Sequence, residues 1–121
     1  MELVKKLTTD FEYEDERGLI CQICHGDFAQ VNYVFSKAGA VRGRFHYHKK
    51  AQEQFYVISG KLKLEVYLGD RKEDCIFQTG DVFLIPAQVR HNFIYLEDTH
   101  LVSTYDICVE TAENVKDIFN D

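Results

Sequence analysis

Glu53-Gln-Phe-Tyr-Val-Ile-Ser-Gly-Lys-Leu-Lys-Leu-Glu-Val-Tyr-Leu68 is the stretch that decides the fold. From Lys61 onward, Leu62, Leu64, Val66 and Leu68 fall on one face, and Lys61, Lys63 and Glu65 on the other. Strict period-two alternation of this kind marks a half-buried antiparallel strand. Glu53 to Ser59 reads as a second strand, and Ser59-Gly60 supplies the turn between them. The same reading repeats outward, with strand-like runs at Gln30 to Ser36, Asp74 to Gln78, Val82 to Ile85, Asn92 to Leu96 and Leu101 to Val109. Turn chemistry at Ala38-Gly39, Gly69-Asp70 and Gly80-Asp81 separates several of them. Many short strands at this spacing predict an all-β sandwich or barrel. The tail differs: Thr111 is placed to cap a short helix through Phe119, with Val115, Ile118 and Phe119 on one side.

Composition sets the bounds. The chain has 121 residues, 45% of them hydrophobic, with seven Gly and one Pro. That suits one globular domain spanning residues 1–121 and no linker or disordered tract. A formal charge of −6 argues against nucleic acid or an anionic membrane as the main partner. Met-Glu-Leu-Val-Lys-Lys is followed by no long apolar run, and nothing reaches the roughly eighteen apolar residues of a membrane helix. A cytoplasmic protein is expected. Cys21, Cys24, Cys75 and Cys108 are then expected as reduced thiols. Cys21-Gln-Ile-Cys24-His25 matches the C-x-x-C-H pattern of haem attachment, but it lies in a strand-like run where residues i and i+3 face opposite sides. Small apolar packing is the expected role of these thiols.

The chemistry concentrates elsewhere. His46-Tyr-His48 puts two imidazoles on one face if the segment is a strand. Glu53 opens the next strand, and His91 comes much later, just after Pro86-Ala-Gln-Val-Arg90. Three imidazoles and a carboxylate form a mixed nitrogen and oxygen donor set for a divalent cation: zinc, iron, nickel or manganese.

His46-x-His48-x4-Glu53-x6-Gly60 resembles the first cupin motif, and Gly80-x5-Pro86-x4-His91 resembles the second. Ala40 and Gln88 stand where the motifs usually carry glycine, and no Asn lies four residues beyond His91. The resemblance implies a double-stranded β-helix, or jelly-roll, barrel with His46, His48, Glu53 and His91 inside it as metal ligands.

A narrower resemblance covers roughly residues 11 to 106. Asp15-Glu-Arg17-Gly18, Gln30-Val-Asn32 and Val41-Arg-Gly43 ahead of His46-Tyr47 are similar to the opening of dTDP-4-dehydrorhamnose 3,5-epimerases. They are also similar to capsular-sugar epimerase cupin domains and to dTDP-sugar 3,4-ketoisomerases, whose motif is Arg-Gly-x-His-x-His. The resemblance implies that Arg17 binds nucleotide phosphates, Gln30 and Asn32 line a sugar pocket, His46 is the base and Tyr105 the proton donor. Arg42-Gly-Arg-Phe-His46 is one residue longer than Arg-Gly-x-His, so either Arg42 or Arg44 is the pocket arginine. Ile20 and Gln22 stand where the thymidine-binding epimerases carry an aromatic residue and a glutamate, and Glu53 replaces a lysine of those metal-free enzymes. The implied activity is epimerisation or ketoisomerisation of a 4-keto nucleotide sugar in surface-polysaccharide sugar biosynthesis. A metal-dependent cupin dioxygenase and a non-catalytic sugar-binding or regulatory cupin are the other readings. The resemblance further implies a homodimer in which an N-terminal strand, Glu2 to Thr8, crosses the interface near Arg17.

Overall fold

The computed structural model describes residues 2–121, and the described residues form eleven strands and no helix. In chain order they are β1 (Lys5–Leu7), β2 (Phe11–Asp15), β3 (Gly18–Gln22), β4 (Gln30–Ser36), β5 (Val41–His46) and β6 (Glu53–Ser59). β7 (Lys61–Leu68), β8 (Arg71–Gln78), β9 (Val82–Ile85), β10 (Arg90–Tyr95) and β11 (Thr99–Tyr105) follow. They pair antiparallel into a five-stranded sheet, β1-β9-β6-β11-β4, a four-stranded sheet, β5-β10-β7-β8, and a separate β2-β3 hairpin.

The alternation in β7 sets the geometry. Leu62, Leu64 and Val66 are buried while Lys61, Lys63 and Glu65 remain partly solvated. Their apolar face meets Phe55 and Val57 of β6, Phe83 and Ile85 of β9 and Leu101 of β11, so both large sheets build one core. Aromatic rings fill its middle: Phe83 stacks on Phe77 at 4.0 Å between centroids and on Phe55 at 4.7 Å. Gly60 turns β6 into β7 at φ 117°, and a Cβ there would clash with the Thr99 hydroxyl and the Asp98 carbonyl, so only glycine fits this corner.

Two expectations change. The strand expected over Glu2 to Thr8 is shorter, β1 covering Lys5–Leu7, which in the single chain pairs with β9 through Lys5–Leu84, Lys6–Phe83 and Leu7–Val82. The expected helix from Thr111 to Phe119 is absent. That segment turns instead, with Val109 accepting hydrogen bonds from Lys116 and Asp117 amides, and Phe119 bridging to Tyr47. The Val115, Ile118, Phe119 spacing does fit a helical face, yet Val115 is 60% exposed and offers no packing to hold one. Val109 after β11, with Tyr47 and His48 after β5, engages the backbone instead, and tertiary context overrides weak propensity. No described helix is long and apolar enough to cross a membrane. All four cysteines are free and half-buried.

Candidate functional site

β5 and β10 carry the histidines to one place. His46 ends β5 and lies opposite His91 of β10, while His48 follows in the turn before β6. The ring centroids of His46 and His91 are 4.4 Å apart, and His48 is 5.3 Å from each. One nitrogen from each ring falls within a group spanning 4.8 Å.

The other nitrogens are engaged on the main chain. His48 Nδ1 donates to the Asp117 carbonyl at 2.7 Å, and His91 Nδ1 donates to the Val89 carbonyl at 3.1 Å. A ring nitrogen of His46 is held by the Gly43 carbonyl. Backbone carbonyls that take one imidazole proton leave the second nitrogen's lone pair free to point inward. This arrangement fits a divalent cation; a tetrahedral set would draw the nitrogens to about 3.4 Å apart, a modest contraction. Burial, with the neighbouring rings, pushes His46 down to about 4 and His91 down to about 3, so both rings are neutral at pH 7.

Glu53 is buried at the start of β6 and lies outside that three-nitrogen group. Its Oε1 stands 3.3 Å from His48 Nε2, and the Tyr105 hydroxyl also bonds to its carboxylate. Burial opposes charge on His48, but its bonds to Glu53 and Asp117 outweigh this and push its pKa up. Tyr105 packs edge-on to the His48 ring, and burial together with Glu53 drives its phenol far above the ordinary range.

A cavity of about 110 Å³ opens beside these groups, with His46, Glu53, His91, Tyr105, Arg42 and Phe93 in its wall. Arg42 is the arginine on the cavity; its Nε donates to Ser36 Oγ at 2.7 Å and its Nη2 to the Phe35 carbonyl at 3.2 Å. Arg44 is exposed and contributes nothing to the wall. The extra residue in Arg42-Gly-Arg-Phe-His46 is taken up as a bulge. Arg42 pairs with Phe93 and His46 with His91, so Gly43, Arg44 and Phe45 together face Asn92. All three have positive φ, 93°, 47° and 64°. Asn92 holds the bulge by accepting the Arg44 amide at 3.0 Å and donating to Glu65 at 3.0 Å.

The remaining expected residues sit farther out. Gln30 Oε1 accepts the amides of Val109 and Glu110, which ties down the chain after β11, and its Nε2 donates to Asn32. Asn32 shares the inward face of β4 with Val34, and Val34 is the residue of that strand that reaches the cavity. Arg17 forms an ion pair at 2.6 Å with Asp15 at the tip of the β2-β3 hairpin and is 80% exposed. It lines a separate hollow of about 230 Å³ with Tyr13, Leu19 and Ile20. Sequence reasoning missed Asn92 and Asp117. Asn92 adjoins a candidate ligand, whereas nothing local distinguishes Asp117.

Comparison with known proteins agrees with this architecture. The spore coat polysaccharide biosynthesis protein SpsL of Bacillus subtilis (strain 168) is 27% identical over 119 residues, covering 84% of this chain and 75% of that protein. The 3-hydroxyanthranilate 3,4-dioxygenase of Danio rerio is 27% identical over 81 residues, covering 65% of this chain but only 28% of the dioxygenase. Among solved structures, the sugar 3,4-ketoisomerase QdtA from Thermoanaerobacterium thermosaccharolyticum, in complex with TDP, superposes with a TM-score of 0.76 at 16% identity, covering 89% of this chain and 83% of that one. The profile of the cupin domain family matches residues 33–108, from within β4 to just past β11 and including all three clustered histidines, so the chain belongs to the cupin family.

Proposed function

We propose that residues 1–121 work as one cytoplasmic cupin domain, a jelly-roll barrel. Its site takes a 4-keto nucleotide sugar, removes a proton α to the ketone and returns one, as an epimerase or ketoisomerase of surface-polysaccharide sugars. One observation carries the reading: a neutral His46, a cationic Arg42 and a protonated Tyr105 share the wall of one small cavity. SpsL, by its name a polysaccharide biosynthesis protein, and the ketoisomerase QdtA lend support as relatives in sequence and in fold.

The residues divide the work. His46, neutral at working pH, has a ring nitrogen available for the proton. The Arg42 guanidinium, anchored on Ser36 and Phe35, balances negative charge developing on the enolate oxygen. Tyr105 keeps its proton until the carbanion needs it; between turnovers solvent reprotonates the phenolate and takes the proton that His46 removed. A cavity of about 110 Å³ suits the reacting sugar ring and leaves the nucleotide outside it. A divalent cation on the three imidazoles would add Lewis-acid stabilisation of the same charge. A ring nitrogen that holds a cation cannot also accept a proton, so metal content decides whether His46 is a ligand or the base.

A homodimer is part of this reading. Phe11, Tyr13, Leu19 and Ile20 of the β2-β3 hairpin are each more than half exposed, as are Val31 and Tyr33 on the outer face of β4. Exposed apolar side chains in this number call for a cover. In the dimer, Arg17 would exchange Asp15 for a nucleotide phosphate. Sedimentation showing a monomer at micromolar concentration would count against it.

The test is deuterium exchange from solvent into 4-keto nucleotide sugars, with metal content measured on the same sample. His46→Asn should lower exchange by roughly 10²–10⁴-fold with little change in substrate affinity. No exchange in the unaltered protein with any such sugar would sink the reading. The similarity to the dioxygenase keeps a second reading in view, and oxygen uptake by iron-loaded protein would favour it.

A further inference from the structure

The tail after Val109 packs Ile118 against Ala51, Tyr105 and Val109, but most of its hold is polar. Among its described residues Asp117 is the one that is buried, in a segment where Val115 is exposed and Ile118 and Phe119 are only half-buried. Asp117 engages the site from both of its ends. Its carboxylate accepts three consecutive amides, from Lys49 at 2.8 Å, Lys50 at 3.1 Å and Ala51 at 2.9 Å. Its main-chain carbonyl accepts the ring proton of His48 at 2.7 Å. One residue therefore fixes four successive positions, 48 to 51, from 66 or more residues away in sequence. The neighbouring bonds reinforce the register: Tyr47 and Phe119 exchange backbone hydrogen bonds at 2.9 and 3.0 Å, and Lys49 Nζ lies 4.1 Å over the Phe119 ring.

Burying a carboxylate is costly unless its bonds are complete, and three amides complete them. A tail that only needed docking could use apolar contacts at less cost. The ring bond does something docking does not: it commits the Nδ1 nitrogen of His48 and leaves Nε2 turned toward Glu53 and the other imidazoles. We propose that Asp117 is a positioning residue for the three-histidine centre, and that the tail acts as a strap setting the tautomer and direction of His48. The proposal rests on the reading of that cluster as the reacting centre, but its test does not require the reaction.

The experiment uses the full chain with nitrogen-15 labelled histidine, metal-free and at alkaline pH, where the imidazoles are neutral. Long-range proton–nitrogen correlation reports the tautomer of each ring. The unaltered protein should show His48 and His91 both protonated on Nδ1. Asp117→Ala should free the Lys49 to Ala51 amides to exchange and mix the His48 tautomers, while His91, held by Val89, stays as it was. Zinc affinity, measured by competition, should fall by roughly 10–100-fold, the usual effect of losing an outer-shell partner. Asp117→Asn keeps one acceptor oxygen and should show the same changes to a smaller degree; it carries the test alone if the alanine variant does not fold. His48 protonated on Nε2 in the unaltered protein overturns the proposal. So does a His48 unchanged in the variant while the loop loosens, which would leave Asp117 a role in the loop only. A His48 response in a protein with no sugar activity would uphold the strap and remove the proposed reaction.

Discussion

Glu53 Oε1 lies 3.3 Å from Nε2 of His48, with both side chains buried. The Nδ1 proton of His48 is already given to Asp117, so a carboxylate facing Nε2 calls for a second proton or a cation between them. Without a cation the carboxylate favours a second proton on the ring, so His48 titrates above the ordinary histidine value. Its neighbours His46 and His91 titrate far below it, at about 4 and about 3.

These opposed shifts give chelator-treated protein a stability maximum. His48, raised on folding, contributes stability that is full below the unfolded value of about 6.5 and is lost as pH rises through the folded one. His46 and His91, depressed on folding, contribute above about 6.5 and lose that stability as pH falls toward their folded values. Thermal unfolding midpoints should therefore peak near about pH 6.5 and decline on both sides. Glu53→Gln should flatten the alkaline decline, and a Gln variant that retained it would contradict the pairing.

Arg42 beside the bulge and Arg44 within it should separate cleanly. Arg42 lies on the cavity and Arg44 is exposed outside it. Arg42→Ala should lower kcat/KM by roughly 10²-fold or more, the scale of losing one charge-stabilising donor. Arg44→Ala should leave it within about twofold, as expected of a surface position. Steady-state kinetics on the two variants decides which arginine the motif supplies.

Tyr105→Phe keeps the ring against His48 and removes only the hydroxyl that meets Glu53. If Tyr105 returns the proton, product formation should fall by roughly 10²–10⁴-fold while exchange of the substrate's own α-proton continues. Equal loss of both would give Tyr105 a packing role.

Phe83 is fully buried between Phe55 and Phe77. Phe83→Ala should cost about 3–5 kcal/mol, measured by urea denaturation, through lost contact and the cavity left behind. A cost below about 1 kcal/mol would mean that the stack collapses to fill the space.

Much of this was legible in the chain. The alternation from Lys61 to Leu68 foretold β7, and Gln30 to Ser36, Glu53 to Ser59 and Val82 to Ile85 match their strands end to end. His46 and His48 could be placed together by their spacing, and His91 joined them through the resemblance to the second cupin motif; the register that sets His91 opposite His46 is given by the structure. What escaped depends on interactions without a period. Asp117 looks like any acid in a polar tail, and only the folded loop at 49 to 51 reveals why it is buried. Gln30, expected in a sugar pocket, spends its side chain on the backbone of Val109 and Glu110. The helix expected after Thr111 lost to tertiary hydrogen bonds that no local pattern announces.

The bulge at Gly43 to Phe45 reaches beyond this one chain. Arg42 stands opposite Phe93 and His46 opposite His91, with the register shift confined to the segment between them. A residue gained or lost there would be expected to alter the height of the arch rather than slide the strand, a slide that would turn every side chain to the wrong face. The arch thus works as an expansion joint. Counting residues between the arginine and the histidine misjudges their separation in space, and sequence alignments that forbid a gap at this point would mistake kin for strangers.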